Sequence, residues 1–263
     1  MIRRALGAAL CGLLVLASCG GPGTTAIPER PSITDEGGKC GYVWKEGDSW
    51  EFLSWAVMGS EDHADALCLG SGFAPGTSPA PGDTVMLPLS PSLADPMHHR
   101  LEAARLVRGA GEAREAGDRA TACSLLLEAR RTDGDWSVPV YDLALIYIED
   151  GALDAARDLL APLAHKYRVA RLLSWIAWNR GRMDEALEHI QTALMDPAPP
   201  PEVLLSAGII YSVTGDDYQA GRMWRRVLSD PGADSRLRLQ ALRWALGMRP
   251  VPEDPVSLRE MTR

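Results

Sequence analysis

Few residues in this chain have the type and spacing to do chemistry. Ser49 stands in the run Gly47-Asp48-Ser49-Trp50, and Asp95-Pro96-Met97-His98 supplies an acid and a base further on. A serine nucleophile needs that base within hydrogen-bond reach and an oxyanion site on a rigid scaffold. The stretch between Ser49 and Asp95 is too short to build one. A Gly-Asp-Ser turn is the simpler reading, with Asp48 and Ser49 accepting bonds from backbone amides and capping the helix behind them. The chain has no HExxH, GxSxG or phosphate-loop glycine pattern. His98 and His99 read as a solvated helix start, and Glu185 and Glu188 as solvation of an outer helix face. No catalytic, cofactor or metal site is expected.

The elements around Ser49 are crowded with rings. Of eight Trp, six Tyr and two Phe in the chain, Tyr42, Trp44, Trp50, Phe52 and Trp55 fall within fourteen positions. YVW reads as a short strand of β-favouring residues, KEGDS as a turn, and WEFLSWAVMG as a helix with Trp50, Leu53 and Val57 on one face. EDHADALCL reads as a second helix with acids in its first turn. SGFAPGTSPAPG is a loop, and DTVMLPL a second strand ended by Pro. A β-α-α-β segment of this size has little room for a core, and bulky rings fill it.

That order, with Tyr42-Val43 before Gly47-Asp48-Ser49-Trp50, then Leu53-Ser54, and Pro81-Gly82-Asp83 before Val85-Met86-Leu87-Pro88, resembles the LysM domain. The resemblance implies binding of N-acetylglucosamine chains, in peptidoglycan or a related glycan, through the loops after strand one and before strand two. Carried over by position, the glycan-binding residues are Gly47, Asp48, Ser49, Trp50, Phe73, Ala74 and Pro75. The family's Asn-Pro turn is replaced here by Gly70-Ser71-Gly72-Phe73-Ala74-Pro75, so the second loop has changed. GDSW also resembles the start of a GDSL-type esterase, but that scaffold needs a parallel sheet and several helices before its Asp-x-x-His.

The first residues read as a targeting segment. MIRR is basic, ALGAALCGLLVLA is apolar but too short to span a bilayer, and Leu16-Ala17-Ser18-Cys19 closes it. This ending resembles the bacterial lipobox, which implies cleavage before Cys19, acylation of Cys19 and a lipid anchor in a membrane. Gly20, where the sorting rule for retention would want Asp, points to the periplasmic face of the outer membrane. Loss of Arg3 and Arg4 leaves 25 Lys+Arg against 35 Asp+Glu, a formal charge of −10. Nucleic acid, which needs a basic face, is excluded as a partner. Cys40, Cys68 and Cys123 remain, none in a metal-ligand spacing. An oxidising envelope allows a Cys40–Cys68 disulfide, and Cys123 sits on an apolar helical stripe.

The strongest pattern is a repeat. Gly117, Gly151, Gly181 and Gly215 are spaced by 34, 30 and 34 residues. Five beyond each stands Ala122, Ala156, Ala186 or Ala220, and nine beyond stands Leu126, Leu160, Ile190 or Trp224. Upstream lie Gly109/Ala113, Leu143/Tyr147, Leu173/Ala177 and Ala207/Tyr211. Gly ends one helix at positive φ, the small Ala lets an antiparallel neighbour approach, and the larger residues fill the space between. Residue types and period resemble the tetratricopeptide repeat, with four residues, about one helical turn, missing from the middle step. ADSRLRLQALRWALG closes the array.

The resemblance implies a groove lined by the first helix of each pair. Counting from the repeat glycines, its residues are Val107, Gly111 and Arg114, then Tyr141, Leu145 and Ile148, then Arg168, Arg171, Trp175 and Trp178, then Leu205, Ile209 and Ser212. Tyr141, Leu145, Ile148, Arg171, Trp175, Trp178 and Ile209 are the expected contacts of an envelope protein or peptide. The alternative is a groove closed by residues 250–263. The residue types of a chaperone-binding carboxylate clamp are not at the matching positions.

The expected organisation is mainly α: signal peptide 1–18, Gly/Pro-rich tether 19–39, LysM-like domain 40–89, a linker over SPSLADPM (90–97), an α-α repeat domain 97–248, and an irregular, Pro-rich tail 249–263. The expected function is non-catalytic: an anchored lipoprotein binding peptidoglycan and protein partners. The rival reading is a scaffold or pilot for a pilus, secretion or outer-membrane assembly, with a LysM-like module that is structural only.

Overall fold

The structure is a computed structural model, and it describes residues 38–247. Cys19 and residues 249–263 lie outside that range. The chain forms two compact units that divide between Pro139 and Val140.

In the first unit, β1 (Cys40–Val43) pairs antiparallel with β2 (Thr84–Leu87), in the register Tyr42 opposite Val85 and Cys40 opposite Leu87. These four side chains are buried while Val43, Thr84 and Met86 face outward, the alternation a half-buried strand dictates. The ladder is prolonged past both strands, since Trp44 donates to the Asp83 carbonyl and Gly82 to the Trp44 carbonyl. Between the strands lie α1 (Trp50–Met58) and α2 (Ala64–Gly70). Ser49 starts α1 as its N-cap, and Gly59, at φ 80°, ends it. The β-α-α-β order is the one read from the sequence.

Residues 90–97 differ from the expected linker. Pro91–Leu93 form a 3-10 turn, and Ala94 opens α3 (Ala94–Glu115). Pro91 is tolerated in a first turn because its missing N–H would have no partner there. Leu89, Leu93, Met97 and Leu101 recur every four residues, and all are buried. The apolar stripe of α3 thus extends back through the 3-10 turn to Leu93, with Leu89 buried just before it. α3 packs on α4 (Arg119–Thr132) and also against α1 and β1, so the compact unit runs past residue 89.

The second unit, which takes α5 (Ser137–Glu149) from Val140 onward, holds helix pairs: α5 with α6 (Leu153–Leu160), α7 (Tyr167–Asn179) with α8 (Met183–Ala193), and α9 (Pro201–Val213) with α10 (Asp217–Ser229). These are followed by α11 (Ser235–Ala245). Gly117, Gly151, Gly181 and Gly215 each take a positive φ between helices of a pair. Ala122, Ala156, Ala186 and Ala220 are all completely buried, where a larger side chain would force the helices apart. The shortened middle step has a visible cause. α6 has only eight residues and ends in a 3-10 turn, Ala161–Leu163, where α4, α8 and α10 run to 14, 11 and 13.

Candidate functional site

The turn after β1 is held from inside the protein. Ser49 Oγ accepts from Phe52 N at 3.1 Å, and Asp48 Oδ2 accepts from Lys45 N at 2.9 Å. Both residues thus shape the turn, as their types predict. The Asp48 side chain is fully enclosed, and a buried carboxylate needs a charge partner. Arg105 of α3 supplies it, donating from Nη2 to Oδ1 at 2.8 Å, while the Tyr42 hydroxyl donates to Oδ2 and accepts from Arg105. Burial, then the Asp48 hydrogen bond, pushes the Tyr42 hydroxyl well above the ordinary tyrosine pKa.

Arg108, one turn on, donates to the Gly47 carbonyl at 3.0 Å and stacks its guanidinium 4.5 Å from the centre of the Phe52 ring. Trp50 is buried as well. Its ring lies 4.8 Å from Trp44 and 5.6 Å from Phe73, and Nε1 donates to the Thr77 carbonyl at 2.8 Å.

The expected glycan residues therefore separate. Asp48 and Trp50 face inward and have their polar atoms paired within the chain, and the Gly47 carbonyl accepts from Arg108. Ser49 spends its hydroxyl on a helix cap. Phe73 is half-buried and Ala74 and Pro75 are exposed, as is Gly47 in the first loop. Cys40 and Cys68 are free thiols, donating to the carbonyls of Ser90 and Ala74 respectively. Burial raises both thiol pKa values, so neither is a ready nucleophile.

The expected partner residues also divide. Leu145 and Ile148 are buried with Val140, Leu160 and Val169 in the core between α5, α6 and α7. They are packing residues and line no groove, because successive turns of α5 are apolar on more than one side. Arg171 is buried too; its Nη2 donates to the Tyr141 hydroxyl at 3.3 Å, and its Nη1 meets no hydrogen-bond partner. Trp175 packs half-buried against the α5–α7 core, whereas Trp178 and Ile209 pack half-buried against the core built from α7 to α11. The half-exposed set is thus Tyr141, Trp175, Trp178 and Ile209. Among the described residues no group of three or more His, Cys, Asp and Glu could hold a metal, and no helix is long and apolar enough to cross a membrane.

One close contact escaped the sequence reading. A Cβ on Gly208 would fall 2.3 Å from Trp224 Nε1. Trp224 fills the position that Leu or Ile holds in the other repeats, and Gly208 on the facing helix makes the room. Its signal was a Gly inside an apolar helix pattern.

No family model matches the chain, and no curated protein matches it. Two similar solved structures are a tetratricopeptide repeat protein from Parabacteroides merdae and MamA. The first is 18% identical with a TM-score of 0.43, over 56% of this chain and 61% of that one. The second is 15% identical with a TM-score of 0.41, over 52% of this chain and 90% of that one. The chain spans less than two thirds of the first of these. The α-α repeat itself is read from the helix pairs, positive-φ glycines and buried alanines above.

Proposed function

We propose that this chain is a non-catalytic scaffold, acylated at Cys19 and held at the cell envelope, whose second unit binds a segment of a protein partner. The observation that supports this most is the half-exposed tryptophan pair of α7. Trp175 and Trp178, with Tyr141 and Ile209, are large rings and an aliphatic side chain kept only partly covered. Aromatic side chains in that state dominate the energy of protein interfaces. The β-α-α-β segment is LysM-like in order, but its first loop serves the fold. Glycan contact, where it occurs, falls to Phe73, Ala74 and Pro75.

Site-specific photocrosslinking tests the reading in intact envelopes. A photoreactive side chain at position 178 should trap one discrete partner, and Trp175→Ala should abolish the adduct while helicity stays unchanged. Unfolding of the array by Trp175→Ala, or an adduct that survives it, would assign the tryptophans to packing. Pelleting of residues 38–263 with insoluble peptidoglycan addresses the glycan part separately.

A further inference from the structure

Arg171 is a buried cation that the fold leaves unanswered. It stands on α7 with only 5% of its surface exposed. Nη2 donates to the Tyr141 hydroxyl at 3.3 Å, and Nη1, itself enclosed, meets no hydrogen-bond partner. That one partner is neutral, and α7 itself carries no acid. A guanidinium taken out of water is costly unless an anion answers it, and it cannot shed its charge by deprotonation. The Tyr141 hydroxyl accepts from Arg171 and so keeps its own proton to donate. Two donors thus sit side by side, next to a half-exposed ring: Trp175 follows Arg171 by four residues, one turn on and on the same side of α7. Arg168, exposed three residues earlier, adds positive charge to the approach.

We infer that Arg171 and Tyr141 receive the carboxylate of a glutamate side chain from the partner segment. This rests on the protein-binding reading above and adds what that segment must carry. A carboxylate answers the charge and offers one oxygen to the guanidinium and one to the tyrosine proton. Phosphate brings three oxygens and up to two charges to a site with one cation and one hydroxyl. A terminal carboxylate is fixed to the backbone, whereas a donor as enclosed as Nη1 is reached only on a stem, and glutamate has the longer of the two acidic stems. Its methylenes have the rings of Tyr141 and Trp175 to pack against. Because Nη1 is enclosed in the unbound chain, the segment enters by displacing a half-exposed ring, and the indole N–H of Trp175 reports the event.

Three pentapeptides test this on the full chain: acetyl-Ala-Leu-Glu-Leu-Ala-amide, the same peptide with Gln for Glu, and the Gln peptide with a free terminal carboxylate. Binding is followed through the indole N–H resonances of Trp175 and Trp178. The Glu peptide should bind about tenfold or more tightly than the Gln amide, the gain expected of a hydrogen bond to a charged group. Arg171→Met and Tyr141→Phe should each erase most of that ratio, and the comparison on the natural chain needs no variant to fold. Equal affinity of the Glu and Gln amides, or no binding by any of the three, overturns the inference, as does a ratio that survives Arg171→Met. Tightest binding by the free terminal carboxylate overturns the side-chain assignment in favour of a chain terminus. An adduct at position 178 that persists undiminished in Arg171→Met leaves the protein-binding reading standing while this inference falls.

Discussion

Asp48 is held by more than its neighbours in sequence. Removing its carboxylate by Asp48→Ala leaves the Arg105 guanidinium without its counter-charge and the Tyr42 hydroxyl without its acceptor. Breaking a buried pair from one side costs about 3–5 kcal/mol, and urea unfolding should show a loss near the lower end, since Arg105 is partly exposed. Unchanged stability together with lost peptidoglycan pelleting would return Asp48 to a ligand role. Tyr42 adds a pH signature. Its pKa is raised by burial and by Asp48, so in the unfolded chain it ionises first as pH climbs. Its share of stability is complete below the ordinary tyrosine range and falls as pH rises through and beyond it. Unfolding midpoints across alkaline pH should drop less steeply in Tyr42→Phe than in the natural chain. At Gly208, an added methyl has no space beside Trp224, and Gly208→Ala should cost about 1–3 kcal/mol, the usual toll of overpacking. Trp224→Leu should relieve it, giving a favourable coupling in a double-mutant cycle.

Among the elements, the helix pairs were the most legible. Their signal is local: a Gly that must take positive φ and an Ala five residues on, repeated often enough to stand out. The β-α-α-β order was legible for the same reason, through alternation, caps and turn residues. What the loop does was not. Arg105 meets Asp48 from 57 residues away, and nothing in either segment announces an ion pair across that span. Leu145 and Ile148 misled because α5 is apolar on several sides, so a count from the repeat glycine cannot tell core from groove. The stripe Leu89, Leu93, Met97 and Leu101 was present in the sequence but masked by prolines at its start. α7 offers a further check. Arg171 is buried with one neutral partner, so Arg171→Met, which keeps the packing and removes the charge, should leave thermal stability level or higher. A clear fall would reveal a counter-charge the described contacts do not contain.

For the molecule as a whole, the compact unit that ends at Pro139 holds more than the β-α-α-β segment. Arg105 and Arg108 seal the turn after β1. Arg100 lies over the Trp136 ring and pairs with Asp133, and Trp136 in turn meets Trp55 of α1. A fragment of residues 40–89 would carry the Asp48 carboxylate and the Phe52 ring into water without these partners. It should show weak near-ultraviolet circular dichroism and a broad thermal transition, whereas residues 38–139 should unfold cooperatively. Cooperative folding of 40–89 alone would show the contacts with α3 to be accessory. The same arginines bear on how such a chain can change over generations. A domain that swaps freely between proteins must carry its charge partners within its own borders, and this one draws the partner of Asp48 from the neighbouring helix. Recombination that cuts near residue 90 separates Asp48 from Arg105 and leaves each product with an unanswered charge. Viable exchange of the aromatic segment has to take α3 along, so the segment and the first helix pair are inherited together.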